Sequence, residues 1–410
     1  MARNDIRQLN RIIFGHGNIQ VSPEHVQMLN NKKPVPYIPR GKHQPPSTGY
    51  QVLLSGYASH ILTSERTKNH FVPLDLAINQ LRALPRPAFG GYQKTGSVDT
   101  RLIKTQFFNI WYKIHSGQVL IFNIEAVDAV QRERTRQEKP AMYNVRKEGP
   151  VWQLIGKTNA VSTPYAAVNG QSNNLAKATW LMGMHLEAEF GKNRIKDFTL
   201  FHNPSVGAAG DTWESMQDKL GFTTPITREF SKILQDVQQA GKDVKWITHS
   251  QGAVIFAEGV RFFLNGNHSS ALRGANGLFK DKEKASLNKN SVAFHGNANN
   301  NYRSKFLLER AGIEVIAIRG SDYDFVYNMV GMNAENGWSV LRSLVYANHV
   351  ISGSVRQSPH TLEQSANAWC NNMTSGPGKG RNALQRGYEH AEAFVVTHQH
   401  LVTYIPNYLI

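Results

Sequence analysis

From residue 164 onward the chain alternates between short apolar runs and longer segments of helical period. Pro164 to Val168 (PYAAV), Asp197 to Phe201 (DFTLF), Val244 to Thr248 (VKWIT), Ser291 to Phe294 (SVAF) and Ile313 to Ile318 (IEVIAI) each read as a short buried strand. Between them, Leu175 to Phe190, Asp211 to Leu220, Thr227 to Ala240 and Ala253 to Leu264 read as helices, with Gly191 as a C-cap. This alternation predicts an α/β fold: a mostly parallel sheet with flanking helices. The polar stretch Leu264 to Asn290, rich in Gly, Asn and Lys, reads as a surface excursion or lid.

The first 150 residues carry a weaker pattern. Asn30 to Tyr50 holds five prolines and reads as an extended linker or arm. Val52 to Leu54, Phe107 to Ile114 and Val119 to Ile124 are apolar, and form either early strands of a sheet or a separate accessory domain. Glu125 to Lys139 is dense in charge and reads as an exposed helix end with a solvated basic face. The organisation expected is an N-terminal accessory region over 1–150 and a catalytic domain over 151–410.

In parallel sheets, ligands sit beyond the carboxyl ends of the strands. Asn169, His202, Asn203, Ser250, His295 and Ser321 to Asp324 all fall there. The most informative is Ser250, in Thr248-His249-Ser250-Gln251-Gly252 between a strand and a helix. A serine on such a turn is lifted above the sheet, with backbone N–H groups beside it to bind an oxyanion. Small residues are usual two positions before and after; here Gly252 fits and Thr248 departs. The plain alternative is a serine capping a helix N-terminus.

A serine nucleophile needs a histidine base and a carboxylate to orient it, in the chain order Ser, Asp, His on sheets of this kind. Asp322 and Asp324 follow the strand Ile313 to Ile318; Asp324 is preferred because Phe325 and Val326 would bury its surroundings. His349, His360, His390, His398 and His400 come later. His400 is preferred because Ala391 to Thr397 could be a last strand and Leu401 to Ile405 could pin the backbone; His360 and His398 are the alternatives. The oxyanion donors would be the N–H of Gln251 and one from the Asn169-Gly170-Gln171 loop, from Gly170 or Gln171. Gly376 to Gly380 (GPGKG) lacks phosphate-loop spacing and reads as a flexible loop.

Composition narrows the partners. The 410-residue chain carries a net charge of +16, which favours an acidic partner such as an anionic membrane surface. The basic residues are spread without a nucleic-acid-binding motif, which argues against nucleic acid. Cys370 is the single cysteine, excluding intramolecular disulfides and a cysteine-based zinc site, and no metal or cofactor is expected. No run of 18 apolar residues occurs, and the first residues lack the apolar core of a signal peptide. Cytoplasmic synthesis is expected, with any export by a specialised system.

Asn169-Gly170 after a strand, Asn203-Pro204-Ser205, Thr248-His249-Ser250-Gln251-Gly252, Asp324-x-Val326 with Gly331 and Asn333, and His400-x-x-x-Tyr404 together resemble α/β-hydrolases. More narrowly they are similar to bacterial lipase-like toxins, including phospholipase effectors of type VI secretion. The resemblance covers residues 165–410. It implies cofactor-free hydrolysis of a lipid or phospholipid ester, with Ser250 as nucleophile, Asp324 as acid and His400 as base. It also implies an immunity or secretion-machinery protein as partner, and action at a target cell's periplasm or membrane. A thioesterase, amidase or peptidase would share the same triad, and a non-catalytic binding protein could share the scaffold.

Overall fold

The structure is a computed structural model and describes residues 35–37, 50–83, 93–94, 101–115, 118–149, 151–170, 174–191, 193–204, 225–266, 286–320, 324–334, 337–345 and 360. These residues form an α/β protein with two mixed sheets and divide into two compact units. The first holds the described residues up to Glu133 together with Glu148–Val151. The second holds Arg134–Lys147 and the described residues from Trp152 onward.

In the first unit, β1 (Val35–Pro36), β2 (Gln51–Leu54), β3 (Gln93–Lys94), β4 (Arg101–Lys104), β5 (Phe108–His115) and β6 (Gln118–Ala126) make a sheet of order β1-β2-β6-β5-β4-β3. β2 and β6 run parallel and the remaining neighbours antiparallel. Alternation is why β5 is a strand: Phe108, Ile110 and Tyr112 are buried on one face. α1 (Gly56–Glu65) starts where the Ser55 hydroxyl accepts the N–H of Ala58 at 3.0 Å, and α2 (Phe71–Ala83) buries Leu74, Ile78 and Leu81. The apolar segments of the first 150 residues are thus strands of a sheet of their own. α3 (Asp128–Gln137) follows, as the charge-dense stretch predicts.

In the second unit, β7 (Ala141–Glu148), β8 (Val151–Thr158), β9 (Tyr165–Val168), β10 (Asp197–His202), β11 (Val244–His249), β12 (Asn290–His295) and β13 (Glu314–Arg319) make a sheet of order β13-β12-β11-β9-β10-β7-β8. From β13 to β10 every pairing is parallel; β10 and β7 are antiparallel. Residues 134–147 therefore belong with the Ser250 sheet, because β7 pairs along β10 from Arg146 opposite Asp197 to Ala141 opposite His202. The helices are α4 (Leu175–Phe190), α5 (Pro225–Gln239), α6 (Gln251–Leu264), α7 (Asn301–Arg310) and α8 (Gly337–Val345), with one π-helical turn at Val326–Val330. α7 lies where the hydropathy pattern assigns no element.

The core of this unit is aromatic. Phe201, Phe230, Trp246, Phe256 and Phe294 are fully buried together, with Phe230 and Trp246 edge-on at 5.2 Å. α5 is a helix of one buried stripe, Phe230, Ile233, Leu234 and Val237, at helical spacing. Each such side chain contributes about 1.5–3 kcal/mol on burial, which holds the strand ends in a fixed register. The predicted helix Asp211 to Leu220, residues 267–285 of the expected lid, the GPGKG loop and the strand Ala391 to Thr397 lie outside the described residues. Among the described residues, no helix is long and apolar enough to cross a membrane.

Candidate active site

β11 is buried on both neighbours, with Thr248 opposite Val168 of β9 and His249 opposite His295 of β12. The chain must then leave the sheet and enter α6 in one residue, and that residue is Ser250. Its φ of 55° and ψ of −126° lie in the left-handed half of backbone space. Such a conformation costs a non-glycine residue about 1–3 kcal/mol and persists only where neighbours hold it. The holders are backbone groups at the end of β12 and in the loop after it. Ser250 N–H donates to the His295 carbonyl at 3.3 Å, and the Ser250 carbonyl accepts from Ala298 N–H at 3.2 Å.

The Ser250 side chain makes no capping hydrogen bond to α6, so the plain N-cap reading does not describe it. Close approach requires glycine after the turn and in the loop that faces it. A Cβ on Gly252 would lie 2.3 Å from the Val168 carbonyl oxygen, and one on Gly170 would lie 2.4 Å from Ser250 Cβ. Thr248 needs no such concession: it sits within β11, paired with Val168 and Phe294, and is fully buried.

Asp324, fully buried, opens the segment after β13. Its Oδ1 accepts the N–H groups of Val326 at 2.9 Å and Tyr327 at 3.2 Å, and its Oδ2 accepts Nδ1–H of His360 at 2.8 Å. The histidine on the acid is thus His360, in the position that the sequence reading gives to His400. His400, His398 and Asp322 lie outside the described residues. Because Nδ1 faces a carboxylate, it carries the proton, and the neutral ring has its lone pair on Nε2. The His360 carbonyl accepts Nε2–H of His249 at 2.6 Å, so the residue next to Ser250 in the chain grips the backbone of the histidine.

The loop that brings Gly170 against Ser250 is built around Asn169, fully buried at the end of β9. Its Nδ2 donates to the carbonyls of Gly170 (2.8 Å) and Asn203 (3.0 Å), while its Oδ1 accepts from Asn203 N–H (2.9 Å) and His202 Nδ1 (3.2 Å). His202 in turn bonds Glu138 at 2.8 Å, and Glu138 also accepts the N–H of Leu175 at the start of α4. The Asn203 amide holds the Gln251 side chain at 3.2 Å. Gln251 itself begins α6, where the first N–H groups have no acceptor within the helix and suit a developing negative charge. Gln171 lies outside the described residues.

Two further buried histidines, His185 and His295, adjoin the site. His185 Nδ1 and His295 Nδ1 are 2.9 Å apart, and His295 Nε2 donates to Glu189 at 2.9 Å. Arg319 donates to the other oxygen of Glu189 at 2.9 Å. Burial pushes His185, His249 and His295 below the usual histidine range; neighbouring imidazoles add to this for His185 and His249, while for His295 Glu189 partly offsets it and the Arg319 charge adds to it. Burial pushes the Glu189 carboxyl up, but hydrogen bonds from His295 and Arg319 outweigh it and bring it down to about 2.

Ser250, Asp324, Asn169, His202, Asn203 and His295, singled out in the sequence, all follow or end strands of this sheet. Glu138, His185, Glu189 and Arg319, which bond to them or to each other, are not singled out there. A signal for two of these exists: His185 and Glu189 sit four residues apart, on one face of a mostly apolar helix. Among the described residues, no group of three or more His, Cys, Asp or Glu is arranged to hold a metal. Comparison with protein-family models finds no match, and comparison with curated proteins finds none either.

Proposed function

We propose that the protein is a serine hydrolase with an α/β-hydrolase type of catalytic unit, cleaving a carboxylic ester of a lipid. The observation that carries this is Ser250, held at φ 55° between a strand and a helix with its hydroxyl unused as a cap, at the same sheet edge as the buried Asp324–His360 pair. His360 Nε2 takes the proton of Ser250 as the oxygen attacks the acyl carbonyl. The oxyanion is met by N–H groups of Gln251 and of the loop that starts at Gly170. Collapse expels the alcohol with the proton from His360; water, deprotonated by the same ring, then releases the acid and restores Ser250.

Lipid is the substrate class favoured by the resemblance to lipase-like toxins and by the net charge of +16, which draws the protein to anionic membranes. The same resemblance supports a secreted antibacterial role with an immunity protein as partner.

The test is hydrolysis of a short-chain ester and of mixed phospholipid vesicles by wild type and Ser250→Ala, with fluorophosphonate labelling of both. Loss of activity by about 10³-fold or more, with labelling abolished, is expected. Equal hydrolysis by a folded Ser250→Ala protein would overturn the assignment. Turnover of thioesters or peptides but not esters would move the protein to another acyl hydrolase class.

A further inference from the structure

His249 stands between two imidazoles. Its ring lies 4.6 Å from that of His360 at 32°, and 4.8 Å from that of His185 at 28°. Its Nε2–H donates to the His360 carbonyl at 2.6 Å, and the residue is only 1% exposed. Behind it, His185 meets His295 edge-on at 5.0 Å, and His295 is anchored on Glu189, which Arg319 also holds.

The proton positions along this stack follow from the acceptors. Glu189 accepts only, so His295 carries its proton on Nε2 and accepts at Nδ1, and His185 therefore donates from Nδ1. The carbonyl of His360 accepts only, so His249 carries its proton on Nε2. Each neutral ring thus has one tautomer. His185 Nε2 and His249 Nδ1 are left as buried lone pairs with no hydrogen-bond partner among the described residues. A second proton on either would be a buried charge without an acceptor.

We propose that His249 is a positioning residue for His360: its N–H fixes the backbone, and its uncharged state confines the catalytic positive charge to His360. This rests on His360 being the base toward Ser250. The charged and titratable groups facing His249 are Lys177 and His185 from α4, His295 from β12, and His360 itself. Fixing the base matters because a displacement of roughly 1 Å at a reacting group costs on the order of 10²-fold in rate.

Two substitutions separate the hydrogen bond from general packing. The amide nitrogen of glutamine stands the same number of bonds from Cβ as Nε2 of histidine, whereas that of asparagine corresponds to Nδ1. His249→Asn is therefore expected to lower kcat on a short-chain ester roughly 10- to 100-fold with KM within about twofold. His249→Gln is expected to recover most of that loss, and His249→Phe, which keeps the ring and loses the donor, to behave as Asn does. Folding is checked by near-ultraviolet circular dichroism, and the Asn–Gln pair remains decisive if Phe does not fold. Wild-type kcat in folded His249→Asn, or equal loss in Gln and Asn with KM rising in step, overturns the proposal. Ser250→Ala run alongside separates the two claims. Full activity there sinks the triad itself, whereas inactivity there with an unaffected His249→Asn sinks only the positioning role.

Discussion

Two buried carboxylates hold histidines on this sheet edge, and they are held differently themselves. Asp324 is bound by backbone N–H groups of Val326 and Tyr327 and by His360, all neutral donors. Glu189 is bound by His295 and by the guanidinium of Arg319. The negative charge of Glu189 is therefore already answered by a cation, and His295 is an uncharged spacer between it and His185. That of Asp324 is answered only when the ring it orients takes up a proton. The same pair of residue types thus gives a structural anchor in one place and, on the proposed reading, a working dyad in the other. What separates them is the third partner.

The comparison is broken most severely at Asp324. Asp324→Asn keeps an oxygen for Val326 and Tyr327 but offers His360 the wrong partner, so kcat is expected to fall about 10³- to 10⁴-fold with little change in thermal midpoint. Kinetics and a melting curve on one preparation decide it; an unchanged kcat would remove Asp324 from the triad. At Glu189 the balance reverses. Glu189→Gln leaves Arg319 and His295 facing a neutral amide, and is expected to lose about 3–5 kcal/mol of stability, read by urea unfolding. Activity per folded molecule should fall far less than in Asp324→Asn.

Acid sharpens the contrast next. The Glu189 carboxyl is depressed to about 2 in the folded state, so its contribution is complete above the ordinary carboxylate range and is lost as pH falls toward 2. His185, His249 and His295 are depressed as well, so the unfolded chain binds protons below about pH 6.5 while the folded one resists them. Stability is expected to decline from that pH downward, by up to about 1.4 kcal/mol per pH unit for each histidine. His185→Leu should remove one proton from that slope, measured as urea unfolding at pH 7 and pH 5; an unaltered slope would mean that His185 already carries its proton when folded. The smallest effect belongs to Gln251→Ala. The proposed oxyanion donor there is the backbone N–H, so only the bond to Asn203 is lost, and kcat should stay within about threefold.

Much of the Ser250 unit was legible because its strands are buried and its helices one-sided. β9, β10, β11, β12 and β13 begin or end within a residue or two of the apolar runs that predict them. β7 and β8 were not read: their polar positions, Asn144, Arg146 and Lys157 among them, mask a pattern that only pairing with β10 makes visible. α7 was missed because NYRSKFLLER clusters its apolar residues and leaves Tyr302 and Phe306 exposed. The histidine was the hardest. Chain order requires only that it follow the acid, and nothing local in Ser-Pro-His-Thr-Leu marks His360 as the ring that folds back onto Asp324. His185 and Glu189 are hidden for the opposite reason: they lie in a strongly helical segment that also buries Lys177, Thr179 and Glu187, so nothing in its period sets these two apart.

The two backbone bonds that pin Ser250 come from His295 and Ala298, more than forty residues further along the chain. During synthesis the strand, the serine and the helix would leave the ribosome first, with the turn still free to relax. The groups that impose its geometry arrive only once β12 has docked, and the histidine that meets Asp324 arrives later still. A chain stopped short of that point would carry the whole Thr248 to Gly252 signature and remain inert. On the proposed reading, competence would then be withheld from the nascent chain by the order in which its residues are made.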